Sequence, residues 1–514
     1  LAQRRTAAAA AAKCSGFGGQ NLDLALTIAD GSAKGKADPA YEAHSGPIQQ
    51  WAMAVWEQRL QSNELLVLAA DAKVRLTKAK SPWSVCAGPA AAFIATAARI
   101  GWTITDAFGG TDDRGKTVDF VKDPPIVIKR RCEDSVRRWR WRRISQALPS
   151  ANLGQTGDGA CMEPIWKLLN GRGKGSSFRR EYAGMLASAI TGRQWSQERC
   201  FSAGLTADNK CRLCAQKIGN LTHRIWGCEA TQQMRLLHAP GDFCSQVLAG
   251  RFCRATASIE RALFPDIAAT APPPMMDETF HWHLEPPEGL LHGVVYSDGS
   301  RLDGPHDNLA RLGWSFVAVD HEGKVFAKAS GVPPAWIIDI PGAEAWAILQ
   351  AAMIAMPGTL FKIDCRPCVD AIHRGRAFAT AAQRPLARVF NLIFAAIDDM
   401  SPDAFIWMPA HTRPEDVGVK LLSDLSLLSH GDREHNDTAD SLAKAAVEEH
   451  RVPADLRRKV KEQLKEVEDV ARWVGMITYS ANNWNSEPKR DTEASAARAA
   501  AARRAKNHAT PRRL

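Results

Sequence analysis

The 514 residues are 45% hydrophobic and 24% charged, with a net charge of +10 and an isoelectric point near 9.0. That content supports two or three compact units; no internal repeat is visible, no 18-residue apolar run could span a membrane, and the Ala-rich opening lacks the apolar stretch of an export signal. Twelve cysteines without the spacing of a disulfide scaffold favour a reducing, intracellular setting, and the basic balance points to a polyanion.

Residues 1–190 read as a mainly helical basic region. Trp51–Leu68 and Gly88–Trp102 have helical patterns, the second stopped by Gly101. Lys129-Arg130-Arg131 leads into Arg137-Arg138-Trp139-Arg140-Trp141-Arg142-Arg143, where guanidinium groups that can hold phosphates alternate with indoles that can stack on unpaired bases. A basic helix with Trp139 or Trp141 turned into the core is the alternative. Gly171–Ser177 lacks phosphate-loop spacing and reads as a loop.

Residues 191–240 contain Cys211, Cys214, His223 and Cys228, spaced Cys-x₂-Cys-x₈-His-x₄-Cys. Two thiolates from a tight turn, with a His and a third Cys, complete a tetrahedral structural Zn²⁺ site; Cys200 or His238 could substitute. Residues 241–289 read as a linker. An apolar run then ends at Asp298 before a Gly turn, and Ala343–Met353 forms a helix with Glu344 in its first turn. Asp364 ends the strand Thr359–Asp364, and Asp440 begins a helix. This order of strand, helix, strand and helix gives a mixed α/β unit in which four acids converge on a metal site. Residues 451–478 form an amphipathic helix through Val460, Leu464, Val467, Ala471 and Val474, and the Ala- and Arg-rich tail 486–514 reads as low complexity.

Tyr296-Ser297-Asp298-Gly299-Ser300, Ala343-Glu344-Ala345, Trp407-Met408-Pro409-Ala410-His411 and Asn436-Asp437-Thr438-Ala439-Asp440-Ser441-Leu442-Ala443, with Asp364 in order between them, resemble the motifs of the type 1 ribonuclease H domain over about residues 290–450. The resemblance implies a mixed five-stranded sheet with flanking helices, and hydrolysis of the RNA strand of RNA–DNA hybrids. It makes Asp298, Glu344, Asp364 and Asp440 the ligands of two Mg²⁺ ions, with Mn²⁺ able to substitute, and His411 a proton carrier or product-release aid. Two departures stand out: 28 residues separate His411 from Asp440 where the family has about ten, and Ile340-Pro341-Gly342-Ala343 replaces an amide that reads 2′-hydroxyls. The Cys/His segment is similar to one found between the polymerase and ribonuclease H in many non-LTR retrotransposon polyproteins. No Tyr/Phe-x-Asp-Asp motif occurs, so the chain is expected to be a fragment or degenerate copy lacking the polymerase palm. A catalytically inactive nucleic-acid-binding remnant is the alternative function; another ribonuclease H-like nuclease is a third. Residues 291–450 carry 14 Lys and Arg against 21 Asp and Glu, a net −7, which leaves +17 to the rest of the chain and assigns the grip on nucleic acid to the basic flanks.

Overall fold

The computed structural model describes residues 46–58, 61–80, 84–147, 159–171, 178–251, 256–275, 277–304 and 306–484. The expected tail 486–514, the Ala-rich opening and most of the Gly171–Ser177 loop lie outside the described residues. The chain forms two units: one includes 46–144, 159 and 267–459, the other 160–266 and 460–484.

The first unit opens with α1 (Pro47–Trp56), α2 (Ser62–Lys78) and α3 (Gly88–Arg99), then β1 (Thr103–Ile104), β2 (Gly109–Thr111) and β3 (Thr117–Asp119), then α4 (Pro125–Ala147). Trp51 stacks on Phe93 at 5.0 Å between centroids and donates from Nε1 to Ala107 O at 2.7 Å, tying helices to the small sheet. A mainly helical region was expected here, and beside its helices it holds a three-stranded antiparallel sheet that the sequence reading did not foresee. Its strands are two or three residues long, too short to show alternation.

The second unit holds α5 (Glu163–Asn170), α6 (Arg180–Ile190), α7 (Gln197–Ser202), α8 (Gln232–His238), α9 (Gly241–Leu248) and α10 (Thr256–Arg261). The segment expected to be a linker therefore contains two helices and, within the first unit, an edge strand.

That strand is β4 (His281–Leu284), followed by β5 (Val294–Leu302), β6 (Arg311–Val319), β7 (Val325–Gly331), α11 (Ile340–Ala352), β8 (Leu360–Ile363), α12 (Arg366–His373), α13 (Arg376–Ala379), α14 (Ala387–Ala396), β9 (Phe405–Trp407) and α15 (His430–Glu449). The sheet is mixed, with order β4-β7-β6-β5-β8-β9: six strands where five were expected. β5 pairs antiparallel with β6 and parallel with β8, which pairs parallel with β9. The core between the sheet and α11 is closed to solvent: Phe316, Phe361, Ala343, Ala347 and Ile348 are each 0% exposed.

Three local expectations are corrected here. β5 does not stop at Asp298 but runs on to Leu302. Gly299 is a site of close approach: a Cβ there would lie 2.3 Å from Glu344 N, so α11 can seat against the strand only over a glycine. α11 begins at Ile340, capped by Asp339, so Glu344 stands beyond its first turn. α15 begins at His430 under a Ser429–Asp432 capping box, ten residues before Asp440.

The last helix, α16 (Ala454–Asn482), is amphipathic as expected and lies three to four residues further along the chain than the expected 451–478. In the second unit its Trp473 is 0% exposed and donates from Nε1 to Ile225 O at 3.2 Å. Among the described residues no helix is long and apolar enough to cross a membrane.

Candidate metal centres

Asp298 lies inside β5, Asp364 directly follows β8, and these neighbouring parallel strands bring the two carboxylates together. Glu344 reaches them from α11, held by the Gly299 backbone N–H. Ligand oxygens of Asp298, Glu344 and Asp364 all lie within 4.8 Å of one another. Asp298 and Glu344 are 6% and 5% exposed, and Asp298 Oδ2 and Glu344 Oε2 are buried without a hydrogen-bond partner.

Buried carboxylates without counter-charges resist ionisation. Burial first, then the charges of Asp364 and Asp440, push Asp298 up to about 8, against an opposing pull from Lys444. Glu344 is raised well above the carboxylate range by burial and by Asp298 and Asp364. Asp364 is raised by burial, partly offset by Asn436 and His411. The donor set is hard oxygen and two of its oxygens are buried without a partner, so the residues present fit a divalent cation.

The other two expected members stand apart from this triad. Asp440 pairs with Lys444 at 2.6 Å, with its side chain 30% exposed, and acts on the triad through its charge. His411 is exposed, with a left-handed φ of 48°, and its charge reaches Asp364. The long segment after it is packed: Leu422 and Leu428 are buried against Tyr296, Ile406 and Met408, and Ser423 N–H donates to Trp407 O at 2.9 Å. Sequence reading missed Asn436, which donates from Nδ2 to Asp364 Oδ2 at 3.3 Å. It precedes Asp440 by four residues on α15, so the two share a helix face; that spacing was the available signal.

In the second unit the four expected ligands Cys211, Cys214, His223 and Cys228 come together within 4.8 Å. Cys211 and Cys228 sulfurs are 3.9 Å apart, and Cys214 Sγ is 3.4 Å from His223 Nε2. Ligands on one tetrahedral Zn²⁺ lie about 3.4–3.8 Å apart, so the cluster can hold zinc and leaves no open position. The hairpin around Ala215, at φ 59°, turns both thiols inward. Burial pushes Cys214 up, but the Lys217 and Gln216 amides outweigh it and lower its titration, while burial pushes Cys228 up to about 12. His223 is lowered by burial and by the charges of Lys217 and Arg235, which keeps its ring neutral and able to ligate.

The Arg/Trp segment falls on α4, where much of it serves the fold. Arg138 grips the buried Asp113 through Nε at 2.8 Å, Arg142 reaches the same carboxylate at 3.3 Å, and Arg137 pairs with Asp134 at 2.9 Å. Trp139 lies between the guanidiniums of Arg99 and Arg143, at 5.2 and 5.1 Å. Trp141 covers Gly159, where a Cβ would lie 2.3 Å from the indole. Arg130, Arg137 and Arg143 are exposed.

No protein-family model matches this chain, and no curated protein matches it.

Proposed function

We propose that the first unit is a Mg²⁺-dependent endonuclease cutting the RNA strand of RNA–DNA hybrids, within a retroelement-derived intracellular protein. The observation that carries this reading is the pair of buried, unpartnered oxygens on Asp298 and Glu344 converging with Asp364. The motif order, the mixed sheet with helices packed on it and the Cys/His cluster upstream support it. When bound, two divalent ions supply activation of the attacking water and stabilisation of the leaving 3′ oxygen. Asp298, Glu344 and Asp364 would hold them, Mn²⁺ being an acceptable substitute, with Asp440 completing the set after release from Lys444. Asn436 fixes the Asp364 carboxylate, and the exposed His411 carries protons between the site and solvent. Zn²⁺ in the second unit is structural.

The Asp440–Lys444 ion pair favours a second reading, an inactive nucleic-acid-binding remnant. A cleavage assay on the full chain separates the two. Wild type should cut a hybrid only with Mg²⁺ or Mn²⁺, and Asp298→Asn should abolish cutting while leaving hybrid binding nearly unchanged. Equal residual cleavage by both proteins would leave the remnant.

A further inference from the structure

Directly after Asp364 comes Cys365-Arg366-Pro367-Cys368, at the junction of β8 with α12. Cys365 caps the helix and Cys368 is its third residue, so the first helical turn folds one sulfur back on the other: the two Sγ atoms are 3.4 Å apart. Both cysteines are free thiols. Cys365 is partly exposed, whereas Cys368 is 0% exposed. One is open to a small reagent and the other is held where it can resolve the product, the division of labour of a Cys-x-x-C pair at a helix start. Cys368 Sγ also contacts Pro341 O at 3.4 Å, in the opening turn of the helix that carries Glu344. The pair thus stands between two of the three carboxylates.

We propose that Cys365 and Cys368 form a reversible dithiol–disulfide couple that controls cation binding at the Asp298–Glu344–Asp364 cluster. This rests on the reading that the cluster holds a cation. The oxidant is a low-molecular-weight disulfide. The Cys365 thiolate attacks one of its sulfurs and displaces the first small thiol; the Cys368 thiolate then attacks Cys365 Sγ in the mixed disulfide and displaces the second. The protein loses two electrons, the small disulfide gains them, and both thiol protons end on the two small thiols.

Closing the bond brings the sulfurs from 3.4 Å to about 2.05 Å. Cys365 is joined by its peptide bond to Asp364, and Cys368 rests on α11, so the closure moves the carboxylate donors relative to one another. Disturbed supporting groups cost a metal site about ten- to a hundredfold in affinity.

The test uses the full chain equilibrated with oxidised or reduced glutathione, peptide mass mapping of the linkage, and Mn²⁺ titration of each form. A Cys365–Cys368 link that forms and reverses, with Mn²⁺ binding about ten- to a hundredfold weaker in the oxidised form, is expected. Cys365→Ser, which removes the attacking thiol at the more exposed position, should bind Mn²⁺ alike in both buffers, whereas Cys368→Ser should stop at the Cys365–glutathione mixed disulfide, seen in the mass map. Absence of the link in oxidised glutathione overturns the proposal, as does a complete link with unchanged Mn²⁺ affinity. Reduced protein that binds no Mn²⁺ removes the cation cluster and its control together. Reduced protein that binds Mn²⁺ yet cuts no hybrid removes the nuclease reading alone.

Discussion

Asp298 is stable inside the strand only as long as it keeps a proton or meets a cation. Its titration stands at about 8 rather than 3.8, so between those values the folded metal-free chain holds a proton that the unfolded chain has released. Unfolding free energy therefore falls as pH rises through that window, and Glu344, raised in the same direction, adds to the fall. In buffer without Mg²⁺ or Mn²⁺, wild-type Tm should drop from about pH 5 to about pH 8 more steeply than that of Asp298→Asn, which has no such proton to lose. Added Mg²⁺ at the upper pH should raise Tm in wild type and hardly in the variant, because only a bound cation stabilises the fold. Parallel pH slopes would show that the cluster is not strained. The three converging acids were legible because each stands at or near the start or end of a patterned segment. The course of β5 beyond Asp298 was not: Gly299-Ser300 has the composition of a turn, and only the packed helix shows why a strand carries glycine there. Asn436 was hidden for a similar reason, its role depending on which face of α15 meets β8.

At the scale of elements, Asp432 joins three pieces of the first unit. It caps α15 by accepting from Ser429 N at 2.9 Å, accepts from Tyr296 Oη of β5 at 2.8 Å, and pairs with Lys362 of β8. Burial pushes its carboxyl up, but hydrogen bonds from Lys362, Ser429 and Tyr296 outweigh it and hold the titration below the ordinary value. Its contribution is present above the unfolded carboxylate range and is lost as pH falls through the folded one. Asp432→Ala strands the Lys362 ammonium and the Tyr296 hydroxyl and should destabilise the first unit by about 3–5 kcal/mol, read as a lower urea midpoint. It should also weaken hybrid cleavage, because α15 carries Asn436 and Asp440; an unfolding free energy within about 0.5 kcal/mol of wild type would make the network ornamental. The Ser429–Asp432 box was readable in principle, but the two polar turns that follow hide the helical period. The same holds for Leu421–Leu428, where only Leu422 and Leu428 pack with β9 and at no strand or helix period, and for β4, four residues whose aromatic contacts with Phe280 and Phe316 exist only once the sheet forms.

Over the whole molecule, each unit carries its own chemistry, and metal removal and salt should separate them. His223 opens the π-helical turn His223–Gly227, whose Trp226 is 0% exposed and donates from Nε1 to Ile259 O at 3.0 Å. Purified chain should contain about one Zn²⁺, and Cys211→Ser should lose it, loosen the second unit and shift Trp226 and Trp473 fluorescence, while Mn²⁺ binding in the first unit persists. Zinc-free wild type with unchanged fluorescence would contradict this. For nucleic acid, 291–450 at −7 repels phosphate, so affinity should come from the +17 elsewhere, and log affinity should fall with log salt by about 0.9 per duplex phosphate contact. The structure divides the arginines of α4 by role. Arg138 neutralises an Asp113 side chain that is 2% exposed; Arg138→Gln leaves that charge to Arg142 and Ser135 and should cost about 1–3 kcal/mol of stability. Arg130, Arg137 and Arg143 face solvent, and exposed pairs such as Arg137–Asp134 are worth little, about 0–1 kcal/mol. Changing these three to Gln should leave the fold intact, lower the salt slope by up to about 3 and weaken binding to many sequences alike, since phosphate contacts carry no base information. Cleavage at saturating hybrid should change far less, the carboxylates being untouched. If the triple variant keeps the wild-type slope, α4 is a structural helix whose arginines hold Asp113 and Trp139, and the phosphate grip belongs to other basic residues.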